Sequence, residues 1–159
     1  MKAAALNEIK KELSLRDIDE VTALCLRLAR YKKENKELLS YLLFESQDEA
    51  GYITHIKEEL DEQFEALPSA NVYFVKKGLR RILRLANKQI KYSAMPNTEV
   101  EVRVHFCSNI KKRGISLSSS PVLANMYAMQ LRKIDAALSK LPDDLQYDYA
   151  HDIESLQVK

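Results

Sequence analysis

Glu99-Val100-Glu101-Val102-Arg103-Val104-His105-Phe106-Cys107 is the stretch on which the fold turns. Its apolar residues alternate with polar ones, the period of a half-buried strand. The same residues place Val100, Val104 and Cys107 on one face of a helix. The rest of the chain decides between the two. Nothing else reads as a strand, and a lone strand has no ladder partner for its backbone groups. The stretch is therefore read as helix. It ends at Lys111-Lys112-Arg113-Gly114, where last-turn cations and a glycine make a stop signal.

Working upstream, the apolar spacing predicts a helix from about Val72 to Tyr92, with Val72, Val75, Leu79, Ile82, Leu83, Ala86 and Ile90 on one face. Met95-Pro96-Asn97 ends it, and Gly78 within it marks a close helix contact. Before it, Gln47-Asp48-Glu49 opens a helix with face Ile53, Ile56, Leu60, Phe64 and Leu67. Pro68-Ser69-Ala70-Asn71 makes a tight connection between the two. Leu38 to Phe44 is apolar nearly all round, which predicts the most buried helix of the chain. Leu6, Ile9 and Leu13 predict a short first helix. Ser14-Leu15-Arg16-Asp17 reads as a capping box for a second, carrying Ile18, Val21, Leu24, Cys25 and Leu28 to about Tyr31.

Downstream, Ile115 to Ser119 reads as a serine-rich loop. Ser120 caps a seventh helix with Pro121 at its first position. Its stripe is Leu123, Tyr127, Leu131, Ile134, Leu138 and Leu141. A last helix carries Leu145, Tyr149, Ile153 and Leu156. The expectation is one all-α domain over residues 1–159, about eight helices in antiparallel hairpins. Both an irregular stack and a closed bundle satisfy it. The chain also resembles an uncharacterised family of small all-helical bacterial proteins, through Leu38 to Glu45, Phe106 to Gly114, and Pro121 leading into the seventh helix. That resemblance implies an all-helical fold similar to armadillo or HEAT stacks, and it transfers no site residue.

Composition bounds the function classes. With 46% apolar and 30% charged residues the chain is too apolar for disorder. Only three glycines leave little room for glycine-rich phosphate loops. Cys25 and Cys107, with no secretory signal expected, fit unpaired thiols and a cytoplasmic location. The longest uncharged run, Gly114 to Leu131, holds serines, Asn125 and Gln130, so no membrane span is expected.

Charge is distributed unevenly. Residues 66–133 hold 13 Lys/Arg against Glu99 and Glu101, a local +11 in a chain of net +2. Lys77, Arg80, Arg81, Arg84, Lys88 and Lys91 share one stripe of the fifth helix, opposite its apolar face. Lys111, Lys112 and Arg113 extend it. Such a face follows a phosphate backbone or an acidic protein surface, and Tyr73 and Tyr92 near its ends suit base stacking. Equally, Glu58, Asp61, Glu62 and Glu65 on the preceding helix form a stripe that would neutralise it internally.

Catalytic patterns are absent from the sequence: no Gly-x-Ser-x-Gly elbow, Walker loop, dinucleotide fingerprint, His-Glu-x-x-His or Cys-x-x-Cys occurs. His151 with Asp148 and Asp152 gives a single His/carboxylate cluster, where a bundle metal site needs two. Cys107 lies near Lys111 to Arg113, which would lower a thiol pKa. His105 and Cys107, two apart on a helix, point in different directions. The expectation is a non-enzymatic helical interaction or scaffold module without metal or cofactor. The alternative is a nucleic-acid-binding protein using residues 77–91.

Overall fold

In the computed structural model, residues 1–68 and 71–157 are described. Ser69 and Ala70 of the expected tight connection lie outside the described residues. The fold is all-α, 82% helical, with no strand among the described residues. Two compact units form, Met1–Phe44 and Glu45–Lys159.

The first unit contains α1 (Leu6–Ser14), α2 (Ile18–Tyr31) and α3 (Lys33–Ser40). At the start of α1 the Glu8 carboxylate accepts from the Ala5 N–H at 2.8 Å. The capping box of α2 lies at Asp17 and Glu20, not at Ser14 to Asp17. Asp17 accepts from the Glu20 N–H at 2.8 Å, and the Glu20 carboxylate accepts from the Asp17 N–H at 3.3 Å. Ser14 is still inside α1, its hydroxyl donating to the Lys11 carbonyl. Helix α2 packs on α3, whereas α1 packs closely against no other element.

Leu38 to Phe44 is not the most buried segment. Tyr41–Glu45 winds as a π-helix, and Leu42, Leu43 and Phe44 are 54%, 58% and 76% exposed. Only Tyr41 of this run is buried. Three short helices do not supply a layer on every side of a segment that is apolar all round, and the composition of a segment does not say how many neighbours it has.

The second unit contains α4 (Glu49–Glu65), α5 (Val72–Ser93), α6 (Pro96–Lys112), α7 (Pro121–Leu138) and α8 (Asp143–Leu156). A 3-10 turn, Leu117–Ser119, occupies the serine-rich loop. Asp48 caps α4 by accepting from the Gly51 N–H, and Asn71 caps α5 by accepting from the Tyr73 N–H. Ala94 takes the left-handed conformation (φ 56°) to end α5, and Pro96 at once opens α6. Gly114 (φ 63°) closes α6 in the conformation glycine adopts without strain.

The decisive stretch 99–107 is helix, in the middle of α6, and α6 is the hub of the unit. It packs against α4, α5, α7 and α8. Val100, Val102, Arg103, Phe106, Cys107 and Ile110 are all buried. A helix enclosed on several sides needs apolar residues on several sides. Val100 and Val102 point about 200° apart on a helix, and both meet core. The strand-like alternation is thus the mark of a surrounded helix.

Side-chain pairs give the register. Lys57 with Glu101, and Asp61 with His105, set α4 parallel to α6. The Tyr52 hydroxyl donates to the Gln89 carbonyl and side chain, joining the start of α4 to the end of α5 and making that pair antiparallel. Leu60, Phe64, Leu79, Phe106, Tyr127 and Ile134 form the core, each at most 1% exposed. The Phe64 and Phe106 rings meet at 5.5 Å, tilted by 54°. Burying side chains of this size stabilises by about 1.5–3 kcal/mol each. Gly78 does lie at a close approach: a Cβ there would sit 2.2 Å from Leu67 Cδ2.

One buried polar group ties the core together. Arg103 is 4% exposed. Its guanidinium reaches the Glu99 carboxylate at 2.7–2.8 Å, Asn87 Oδ1 at 2.9 Å and Gln130 Oε1 at 2.7 Å. These partners come from α5, α6 and α7, so a single side chain sets the mutual positions of three helices. A second cluster joins Glu49, Ser93 and Thr98 by hydrogen bonds where α4 starts, α5 ends and α6 starts.

Candidate functional site

The basic stripe on α5 is where the sequence spacing places it. Lys77, Arg80, Arg81, Arg84 and Lys91 are exposed, and Lys88 is half-buried. None of the five exposed cations forms an ion pair among the described residues. The acidic stripe of α4 is engaged elsewhere or left in solvent. Asp61 binds His105 at 2.7 Å and Asn109 at 2.9 Å, on α6. Glu58, Glu62 and Glu65 are exposed. The acid of this stripe with a hydrogen-bond partner described here, Asp61, faces α6 and not α5.

The three cations at 111–113 have different neighbours. Lys111 Nζ donates to the carbonyls of Ser155 and Gln157 at 2.7 and 3.0 Å. Those carbonyls end α8, where a cation meets the negative end of the helix dipole. Tyr127 donates to the Leu156 carbonyl between them at 2.7 Å. Arg113 lies over the Phe64 ring, 5.8 Å from its centroid, a cation–π contact. Lys112 is exposed and lines a different cleft. Lys111 therefore serves to anchor α8.

The expected aromatic ends differ from one another. Tyr73 is exposed, in edge contact with Phe74 at 5.4 Å. Tyr92 is buried and is no stacking platform. Ile90 and Tyr92 stand about 200° apart on the helix and both are buried, so the end of α5 is covered on more than one side.

The candidate chemistry around His105 and Cys107 does not assemble. Cys107 is fully buried, and burial pushes its thiol from 9.0 up to about 12, with Arg103 pulling less strongly the other way. The nearby cations expected to lower it point outward. His105 instead faces Asp61, at the edge of a polar cleft of about 240 Å³ between α4, α6 and α8. In that cleft Glu101 accepts from Lys57 at 2.6 Å and from the Tyr149 hydroxyl at 2.9 Å. Burial and the Glu101 contact raise the Tyr149 phenol above its usual range. His151 is exposed. No group of three or more His, Cys, Asp or Glu side chains is arranged to hold a metal ion among the described residues. No helix among them is long and apolar enough to cross a membrane.

A feature that sequence reasoning missed lies in the first unit. Among the described residues, fourteen of the twenty-two exposed large apolar side chains fall in residues 1–44, so this exposed apolar surface is concentrated in little more than a quarter of the chain. Helices α1, α2 and α3 contain no buried residue. Leu6, Ile18, Leu28 and Tyr31 are among the most open. The available signal was size: a unit of 44 residues has too little volume to enclose that many leucines.

Compared with family models, curated proteins and solved structures, the chain matches none. The functional reading therefore rests on these surfaces alone.

Proposed function

We propose that this protein is a non-enzymatic interaction module whose first unit presents an apolar docking surface. One observation carries this reading: the concentration of exposed leucine, isoleucine and aromatic side chains in residues 1–44, where no helix buries a residue. Exposed apolar patches of this kind mark association sites in proteins that are otherwise well packed. The second unit supplies the contrast, because it encloses a packed apolar core and, among the described residues, leaves no buried side-chain polar atom without a hydrogen-bond partner. Cys107, buried with a raised thiol pKa, also supports a non-catalytic reading.

The test is site-specific photo-crosslinking in cells, with the probe at Leu13, Leu24 or Leu28 in turn, and at Lys140 on the second unit as control. Discrete adducts at the three leucines and none at Lys140 are the expected result. Absence of adducts at all three leucines would overturn the reading.

A second reading is favoured by a different observation. The exposed cations at 77, 80, 81, 84 and 91 have no ionic partner among the described residues. They lie along about 21 Å of helix at ~1.5 Å per residue, which suits a polyanion such as a nucleic acid. Neutralising about four phosphates gives a slope near −3.6 in log K against log salt for duplex DNA. Replacing Arg80, Arg81 and Arg84 with Ala should weaken binding to all sequences alike, because phosphate contacts carry no base code. Titration of labelled single- and double-stranded oligonucleotides at low salt decides the matter. Binding no tighter than that of the triple variant removes this second reading.

A further inference from the structure

The apolar face of the first unit is divided into two hollows by α1. One, about 620 Å³, opens between α1 and α2 and is floored by Ile9, Leu13, Ala23 and Leu24. Its rim carries Glu8, Glu12 and Glu20, with Arg16 held to Glu20 at 3.3 Å and Arg27 at the far end. The other, about 520 Å³, lies on the opposite flank of α1 and is formed by Leu6, Asn7, Ile9, Lys10 and Leu13. Ile9 and Leu13 belong to both. Helix α1 is therefore a ridge between the two hollows, the wall of the acid-rimmed groove on one flank and edged by Lys10 on the other.

We infer that the occupant of the α1–α2 groove is α1 of a second copy of this chain, giving a symmetric dimer held by a four-helix arrangement of two α1–α2 pairs. Resting on the interaction-module reading, the inference names the partner. Charge complementarity selects it. The outer flank of an incoming α1 brings Lys10 to a rim on which Glu8, Glu12 and Glu20 outnumber the cations. Its leucines meet Leu13, Ala23 and Leu24. Because each α1 is both groove wall and ridge, a two-fold operation satisfies both copies at once, and the interface closes. The open groove also explains why α1 packs closely against no element of its own chain. Its length, nine residues, is below what sustains an isolated helix in water, so packing is needed to hold it.

Sedimentation equilibrium of the full chain tests this. A monomer–dimer equilibrium with a Kd on the order of 10 μM is expected. Ile9→Glu with Leu13→Glu should abolish the dimer. Circular dichroism must show the second unit folded in that variant. A charge exchange keeps the inference testable without disturbing the apolar floor. Lys10→Glu alone, and Glu8→Lys with Glu12→Lys alone, should each weaken self-association about tenfold through like-charge contacts. Mixing the two variants should restore association as a heterodimer, because both contacts are then attractive.

Three results would overturn the inference. A dimer unaffected by the Ile9/Leu13 variant places the interface elsewhere. A monomer at about 100 μM, some tenfold above the expected Kd, with fast hydrogen exchange across α1, leaves the surface open to a different partner. In that case the interaction-module reading survives. A monomer in which α1 and α2 are protected means the face is covered within the chain, and that reading falls as well.

Discussion

Replacing Arg103 with Ala should be the most damaging single change in the second unit. The guanidinium is 4% exposed and serves acceptors on three helices. Removing it leaves Asn87 Oδ1 and Gln130 Oε1 without that donor, and Glu99, with 26% of its side chain exposed, without its cation. Loss of one partner from a buried pair costs about 3–5 kcal/mol. A domain has about 5–15 kcal/mol in total, so the variant should sit near its unfolding transition at room temperature. Arg103→Lys keeps the charge but offers a point donor in place of a planar fork, and should lose about 1–3 kcal/mol. Glu99→Gln should cost less than Arg103→Ala, because its partly exposed carboxylate position can be hydrated. The double variant Arg103→Met/Glu99→Gln should cost less than the sum of its parts, with coupling of about 1–3 kcal/mol. Urea unfolding followed by near-ultraviolet circular dichroism of the packed tyrosines reads this out. A loss below about 1 kcal/mol for Arg103→Ala would refute the claim that this side chain ties α5, α6 and α7 together.

Three further outcomes follow from the same geometry. Cys107 and Tyr127 hold their protons up to about 12 in the folded chain, against 9.0 and 10.0 as their ordinary values. Both are acids with raised folded values, so their stabilising effect is full below pH 9 and is lost as pH rises from 9 toward 12. Urea midpoints should fall across that window, and Cys107→Ala should flatten the lower part of the fall; a flat wild-type profile would contradict the burial. In an aromatic-disulfide thiol assay, native protein should release colour for Cys25, which is half-buried, and Cys107 should react only in denaturant; two equally fast thiols would contradict the packing. Lys111→Ala should cost about 0.5–1.5 kcal/mol and speed hydrogen exchange at the end of α8, since it removes the donor to Ser155 and Gln157; unchanged exchange there would return Lys111 to the candidate binding set.

The helical class was legible because local signals agreed. Asp48 caps the helix that Gln47-Asp48-Glu49 was expected to open, and Pro121 opens α7. The stripe Ile53, Ile56, Leu60 and Phe64 is buried as its spacing demands. What failed was the expected burial of Leu38 to Phe44, whereas the helix expected at Glu99 to Cys107 is there. Leu38 to Phe44 and Glu99 to Cys107 both carry apolar residues on more than one side. The first is largely exposed and the second is the hub. Periodicity reports which faces of a segment are apolar, and it is silent on whether another helix arrives to cover them. Arg103 was invisible for a related reason. A charged residue in an alternating run reads as a solvent position, and only the arrival of Asn87 and Gln130 makes its burial affordable.

The site shows the same division. The stripe Lys77 to Lys91 was legible because all its members lie on one helix, so the helix period alone fixes which way they point. The extension to residues 111–113 required knowing what lies beside the end of α6, and there the three cations part company. Lys111 turns to the end of α8, Arg113 to Phe64, and Lys112 to solvent. Sequence proximity joined them, but adjacent residues on a helix stand about 100° apart. The same limit hid the apolar surface of the first unit. Each of its helices has an ordinary amphipathic face, and each face alone predicts burial. Only the count of residues available to cover those faces, 44 in the unit, shows that some must remain open. A surface defined by insufficient cover is a property of the whole unit, which the period of no single helix reveals.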